Sequence, residues 1–257
     1  MECLFQDSHI HIQDIKSLES ITRFIQDAKT SGWGRFFNCA ITPADWPIIK
    51  AMAEKDAALV PFFGIHPWFS DLADEKSFQQ LEAYLSIPGA FAGEMGPDKA
   101  RKNIDFSLQK DIFTRQLLLA KKFKKPFTVH CVRAWEETIS LIKSHAPDLR
   151  FLTHSFNGSH EIAQEIQLMG GFFSVSIKEF IRDENPFKSV FKILPSNRIL
   201  LETDFPYQVK WTTPQEYIKT VHKGYEIAAS WRDCDTDTFI KGVYDNGTIF
   251  THGTSDR

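Results

Sequence analysis

The chain has 257 residues, 42% of them hydrophobic, with 30 Lys plus Arg against 33 Asp plus Glu for a formal charge of −3. That length can bury a large core without staples, and the near balance of charge excludes a general electrostatic pull toward nucleic acid. Four cysteines without any CxxC spacing exclude a zinc ribbon and point to reduced, packed thiols. A soluble cytoplasmic protein is expected: the first residues carry no signal-peptide pattern, and no stretch approaches the ~20 apolar residues of a membrane span.

Short apolar runs alternate with longer amphipathic segments along the whole chain. The runs predict strands at Cys3–Asp7, Arg35–Ile41, Leu59–Ile65, Ala90–Glu94, Phe127–His130, Phe151–His154, Phe172–Val175 and Ile199–Glu202. Several are apolar on consecutive residues, as strands covered on both faces require. Apolar residues at three-to-four spacing predict helices over Ile15–Thr30, Phe106–Phe123, Trp135–His145, Ile162–Met169 and Pro214–Ser230. Thr251–Arg257 reads as a frayed polar tail. Eight strands alternating with helices fit a closed (β/α)8 barrel or an open doubly wound sheet.

Six potential metal ligands stand where these runs give out: His9 and His11 after the first, then Glu94, His130, His154 and Asp204. A hydrolytic metal site needs such an assortment of imidazoles and carboxylates, with open positions for water and substrate. Because the candidates come from five different strand ends, the expected architecture is the (β/α)8 TIM barrel, which collects residues all round its C-terminal rim. Residues 1–257 are read as one domain. His9 and His11, two apart, share a face of their strand. Asp7, on that face too, is an inner ligand or an acceptor that orients an imidazole, the second reading being preferred. Each residue alone has an ordinary explanation, as a core histidine, a turn aspartate or a solvated glutamate. The conjunction carries the inference.

The motifs Asp-Ser-His-Ile-His (7–11), Gly-Ile-His-Pro (64–67), Gly-Glu-Met-Gly (93–96), Val-His-Cys-Val-Arg-Ala (129–134), Thr-His-Ser-Phe-Asn-Gly (153–158) and Glu-Thr-Asp-Phe-Pro-Tyr (202–207) resemble, in order and spacing, those of the TatD family of metal-dependent deoxyribonucleases. The resemblance implies two divalent ions, with Mg, Mn and Zn all open as identities. His9, His11 and Asp204 would hold one, His130 and His154 the other, and Glu94 would bridge them. It further implies DNA as substrate, single-stranded and cut from a 3′ end. On chemical grounds Asp204 is also expected to accept the proton of the attacking water as it forms hydroxide. His66 and Arg133 are the implied phosphate contacts.

The chain departs from the family pattern in three places. Trp68 replaces the second histidine of a His-Pro-His motif, Pro97-Asp98-Lys99-Ala100 replaces a Leu-Asp-Tyr continuation, and Phe205 stands beside Asp204 where a small residue is common. These changes leave two other readings open. One is an amidohydrolase acting on a small amide, ester or nucleobase; the other is a non-catalytic barrel that binds metal or nucleic acid. Lys121–Lys125 invites a nucleic-acid reading, but a cationic helix C-terminus explains it more simply.

Overall fold

The computed structural model describes residues 5–15, 18–182, 185–208, 211 and 213–253, with 18 and 19 described by backbone alone. Among the described residues, strands and helices follow one another as β1 (Phe5–Ile10), α1 (Leu18–Thr30), β2 (Trp33–Cys39), α2 (Trp46–Lys55), β3 (Leu59–Phe63), α3 (Glu75–Leu85), β4 (Phe91–Met95), α4 (Phe106–Phe123), β5 (Phe127–Val129), α5 (Trp135–His145), β6 (Phe151–Thr153), α6 (His160–Leu168), β7 (Phe172–Ser176), α7 (Phe187–Ile193), β8 (Ile199–Glu202), α8 (Pro214–Trp231) and α9 (Thr236–His252). Strand order in the sheet is chain order, β1 to β8, and pairing is parallel from β3 through β6 and between β7 and β8. Parallel strands need a crossover between each pair, which the intervening helices supply.

By packing, the described residues fall into two compact units: one from Met1–Phe37, Ser155–Gln164 and Phe173–Arg257, the other from Asn38–His154 and Glu165–Phe172. In the first, β1 lies beside β8, and the pairing runs on past both strands. Asp204 N–H donates to His9 O and His11 N–H to Phe205 O, each at 2.9 Å. Phe5 stacks on Trp33, and Tyr217 and Tyr225 are fully enclosed. Helix α9 closes over β1 and β8: the Asn246 amide donates to Ser196 O and Ile199 O, both at 2.8 Å.

In the second unit the aromatic rings lie in strand register. Phe62 is partnered with Phe91 and stacks on it at 5.1 Å; Phe127 is partnered with Phe151 and stacks at 5.8 Å. Each buried ring contributes roughly 1.5–3 kcal/mol relative to exposure. Two buried glutamines on the inner face of α4 hold the loops after β3 and β4. Gln116 accepts from Ile65 N–H (2.7 Å) and donates to Ile65 O (3.0 Å), while Gln109 accepts from Asp98 N–H at 2.7 Å.

The structure shifts several predicted boundaries. Cys3 and Leu4, the predicted start of the first strand, lie outside the described residues, as do residues 16 and 17 of the first helix. The first strand runs to Ile10 instead of stopping at Asp7, because its polar residues are paired inside the fold. Ser8 Oγ lies 2.6 Å from Ser174 Oγ and donates to Leu201 O at 2.9 Å. Thr251 is not part of a frayed tail: it is buried in α9 and donates to Gly247 O at 2.8 Å. The lysine run ends α4 as a solvated helix terminus, with Lys124 in the left-handed region, Lys122 paired to Glu82 and Lys125 donating to Ile87 O.

Candidate metal centre

Two clusters of buried imidazoles and carboxylates form at strand ends, one in each unit. In the first, His9 ends inside β1, His11 follows it, and Asp204 follows β8; all three are buried, with ligand atoms within 4.8 Å of one another. His11 Nε2 is 3.1 Å from Asp204 Oδ1. The two rings meet edge to face at 5.0 Å, as i and i+2 positions on one strand face allow. Asp204 has φ +52, in the left-handed region that non-glycine residues enter at a cost, which turns its carboxylate out of the line of β8.

Asp7 fixes this cluster without touching an imidazole. Its carboxylate accepts from His9 N–H (3.2 Å), Thr203 N–H (3.0 Å), Thr203 Oγ1 (2.6 Å) and Tyr217 OH (3.0 Å), so it ties the His9 backbone to the residue before Asp204. Burial pushes its pKa up to about 7 in spite of these four donors. The preferred expectation that Asp7 orients an imidazole N–H is therefore recast: the contacts described run to backbone and hydroxyl groups.

The second cluster gathers Glu94, His130, His66 and His154. Glu94 Oε1 is 2.8 Å from His130 Nδ1, 3.4 Å from His66 Nε2 and 3.6 Å from His154 Nε2. His66 Nε2 lies 3.2 Å from His130 Nδ1, so the structure brings His66, expected only as a phosphate contact, to ligand distance. The glycines beside Glu94 permit this density. Gly93 has φ +126, and a Cβ there would lie 2.4 Å from Thr128 Cγ2; Gly96 has φ +144, and a Cβ there would lie 2.0 Å from His130 O.

Asp98 completes the second cluster. Its Oδ2 lies 3.5 Å from His130 Nε2 and accepts from Trp68 Nε1 at 2.6 Å. Burial opposes its charge, but the neighbouring His130 imidazole and the hydrogen bond from Trp68 outweigh that and hold it at about 2. Burial likewise opposes protonation of His130, yet Asp98 and Glu94 raise its pKa above the usual histidine value. Arg133 is exposed after β5 with φ +54, next to Val132, which bridges to Asp98. Lys99 pairs with Glu137 at 2.8 Å, and the Phe205 ring packs into an aromatic group with Phe24, Trp211 and Tyr217.

Each cluster offers imidazole nitrogen and carboxylate oxygen in a buried setting, a donor set that fits divalent first-row metals. The description TatD related DNase matches residues 6–250 of the chain. The chain belongs to the TatD-related DNase family. It is 30% identical over 240 residues to the human 3'-5' RNA nuclease TATDN2, covering 87% of this chain and 31% of that protein, so it spans about a third of that relative. It is 31% identical over 196 residues to the 3'-5' ssDNA/RNA exonuclease TatD of Edwardsiella piscicida, with 71% and 74% of the two chains covered. The crystal structure of YjjV, a TatD homologue from Escherichia coli, superposes with a TM-score of 0.88 at 23% identity, over 98% of this chain and 99% of the other. That likeness gives the fold, a (β/α)8 barrel. As a member of the TatD-related DNase family the chain is a hydrolytic enzyme of the nuclease class.

The histidines and carboxylates at the strand ends stand out in the sequence, whereas the residues that hold them in place do not. Gln109 and Gln116 signal themselves only as polar residues within the apolar stripe of an amphipathic helix. Trp68 and Asp98 meet across thirty residues, with no local pattern to announce it.

Proposed function

We propose that the chain is a two-metal phosphodiesterase that cleaves single-stranded DNA or RNA from a 3′ end, and that residues 1–257 form its one catalytic domain. His9, His11 and Asp204 hold one divalent ion; Glu94, His130 and His154 hold the other. The observation that carries this reading is the pair of buried His/carboxylate clusters at strand ends in a TatD-family chain. Bound divalent ions supply electrostatic stabilisation of the phosphoryl oxygens and lower the pKa of a water.

The remaining chemistry belongs to side chains. Asp204, buried and 3.1 Å from His11, accepts the proton of the attacking water. Asp7 keeps that carboxylate in place through Thr203. Arg133, exposed beside the second cluster, pairs with a substrate phosphate, for which a guanidinium fork is suited. His66, implied as a phosphate contact, instead adds a third imidazole to the residues of the second ion, in line with its 3.4 Å approach to Glu94. Free Cys39 and Cys131 fit a reducing, cytoplasmic setting, and among the described residues no helix is long and apolar enough to cross a membrane.

Single-stranded DNA and RNA oligonucleotides labelled at the 3′ or the 5′ end, incubated with Mg²⁺, Mn²⁺ or EDTA, test the reading. Shortening from the 3′ end that needs metal and is lost in His130→Ala is the expected result. Asp204→Asn should lower turnover by about 10²–10⁴-fold, the usual contribution of a positioned base. Two metals bound per chain with no cleavage of any strand would overturn the nuclease assignment in favour of small-molecule hydrolysis.

A further inference from the structure

Trp68 is the chain's own departure beside the second cluster, and its setting is unusual for an exposed tryptophan. The residue is 38% exposed, yet its side chain is anchored on three sides. Its indole N–H donates to buried Asp98 at 2.6 Å, and its backbone N–H donates to His66 Nδ1 at 3.2 Å. The Arg101 guanidinium lies 4.7 Å from the ring centroid, at cation–π distance. The His66 ring meets it edge-on at 5.0 Å. The turn that carries it, Pro67–Leu72, starts at His66 and is set by Pro67.

We infer that Trp68, layered with Arg101, is a stacking platform that takes one nucleobase of the substrate strand next to the scissile phosphate. This inference rests on the nuclease reading above. Three features lead to it. The ring is partly exposed next to the second cluster, and it cannot swing inward because Asp98 holds its edge. Fixing the indole before binding removes the side-chain entropy that stacking would otherwise cost. The only hydrogen-bonding atom of the side chain is already used by Asp98, so the ring offers no edge contact with which to tell bases apart. What it offers is a π surface, and every base has one. Arg101 adds a planar cation, suited both to stacking and to the phosphates of the same strand.

Asp98 also connects the platform to the reaction centre. The same Oδ2 that holds the indole lies 3.5 Å from His130 Nε2. The base is thereby placed at a fixed distance from the cluster instead of on a mobile loop. Trp68 is a positioning residue on this account: it fixes the register of the strand and takes no part in the chemistry.

The test is a comparison of kcat and KM for a single-stranded oligonucleotide and for a series in which one base at a time is removed from the three nucleotides nearest the attacked end. Wild type, Trp68→Ala and Trp68→Phe are measured on each. In wild type, one abasic position should lower kcat/KM by about 5–150-fold, mostly through KM, as stacking worth ~1–3 kcal/mol per base implies. Trp68→Ala should erase that preference for a base, Trp68→Phe should keep most of it, and replacing the base by any of the other three should change little. A Trp68→Ala variant that loses the same factor on intact and abasic strands would show a merely structural role and overturn the platform. Cleavage by wild type that ignores every missing base would do the same. Absence of cleavage on all strands overturns the nuclease reading itself and the platform with it.

Discussion

Replacing Asp7 by asparagine should make the metal-free protein more stable at alkaline pH and leave it little changed in acid. Asp7 Oδ1 accepts two backbone N–H groups, which an amide oxygen also satisfies, and Oδ2 accepts the hydroxyls of Thr203 and Tyr217, which can rotate to accept from an amide NH₂. The shape and the bonds survive; the charge does not. Burial raises the Asp7 pKa from 3.8 to about 7. The folded state thus holds its proton more tightly than the unfolded state, so the contribution of Asp7 to stability is greatest below 3.8 and is lost as pH rises through 7. At about 1.4 kcal/mol per pKa unit the full loss is about 4 kcal/mol, of which about 1.6 has accrued by pH 5. Urea denaturation in EDTA at pH 5, 6, 7 and 8 measures it. The stability difference between Asp7→Asn and wild type should grow by roughly 3 kcal/mol over that range, titrations elsewhere cancelling in the difference. A difference that stays flat would mean that Asp7 is ionised in the fold throughout, and that four donors overcome its burial.

Further outcomes follow from the same geometry. Gly96→Ala puts a Cβ 2.0 Å from His130 O at φ +144, and should destabilise by at least about 3 kcal/mol in urea, with metal binding at the second cluster weakened alongside. Burial pushes the Cys131 thiol up to about 12 from 9.0, so iodoacetamide at pH 8 should label it about a thousandfold more slowly in the native protein than in urea, read by peptide mass spectrometry. Equal rates would refute the upward shift of the thiol. The role that the resemblance gives Glu94, a ligand common to both ions, predicts that Glu94→Gln retains less than one metal per chain by elemental analysis, where His154→Ala retains about one. Retention of both ions by Glu94→Gln would exclude the shared role.

Much of this was legible in the sequence because strands buried on both faces leave consecutive apolar runs, and those runs end where the chain turns polar. Ile199–Glu202 as a strand and Phe106–Phe123 and Trp135–His145 as helices coincide with the structure to the residue. The first strand was underestimated for the same reason the others were found: Ser8 and His9 are polar, and only long-range partners such as Ser174 and Leu201 make them strand-compatible. Helix α3 carried a readable signal, a capping Asp74 ahead of Phe78, Leu81 and Leu85, that the apolar-run pattern overlooked. Short α7 had too few turns to show a period. At the site, the histidines and carboxylates announce themselves by residue type, but the approach of His66 to Glu94 and the hold of Asp98 on Trp68 depend on how loops from different strands meet.

The discontinuity of the first unit bears on how the molecule is made. Glu94, His130 and His154 all leave the ribosome within one nearly unbroken stretch, so their cluster can assemble while residues 173 onward are still being translated. His9 and His11 are synthesised well before Asp204 and must wait for it, and β1 must wait for β8 and α9. Until then the opening strand has buried-type side chains and no partner on one edge, the kind of exposed edge that chaperones and aggregation compete for. Nascent chains released short of Asp204 should therefore carry a formed second cluster and an unsatisfied β1, leaving His9 and His11 to find their place only after residues made long after them.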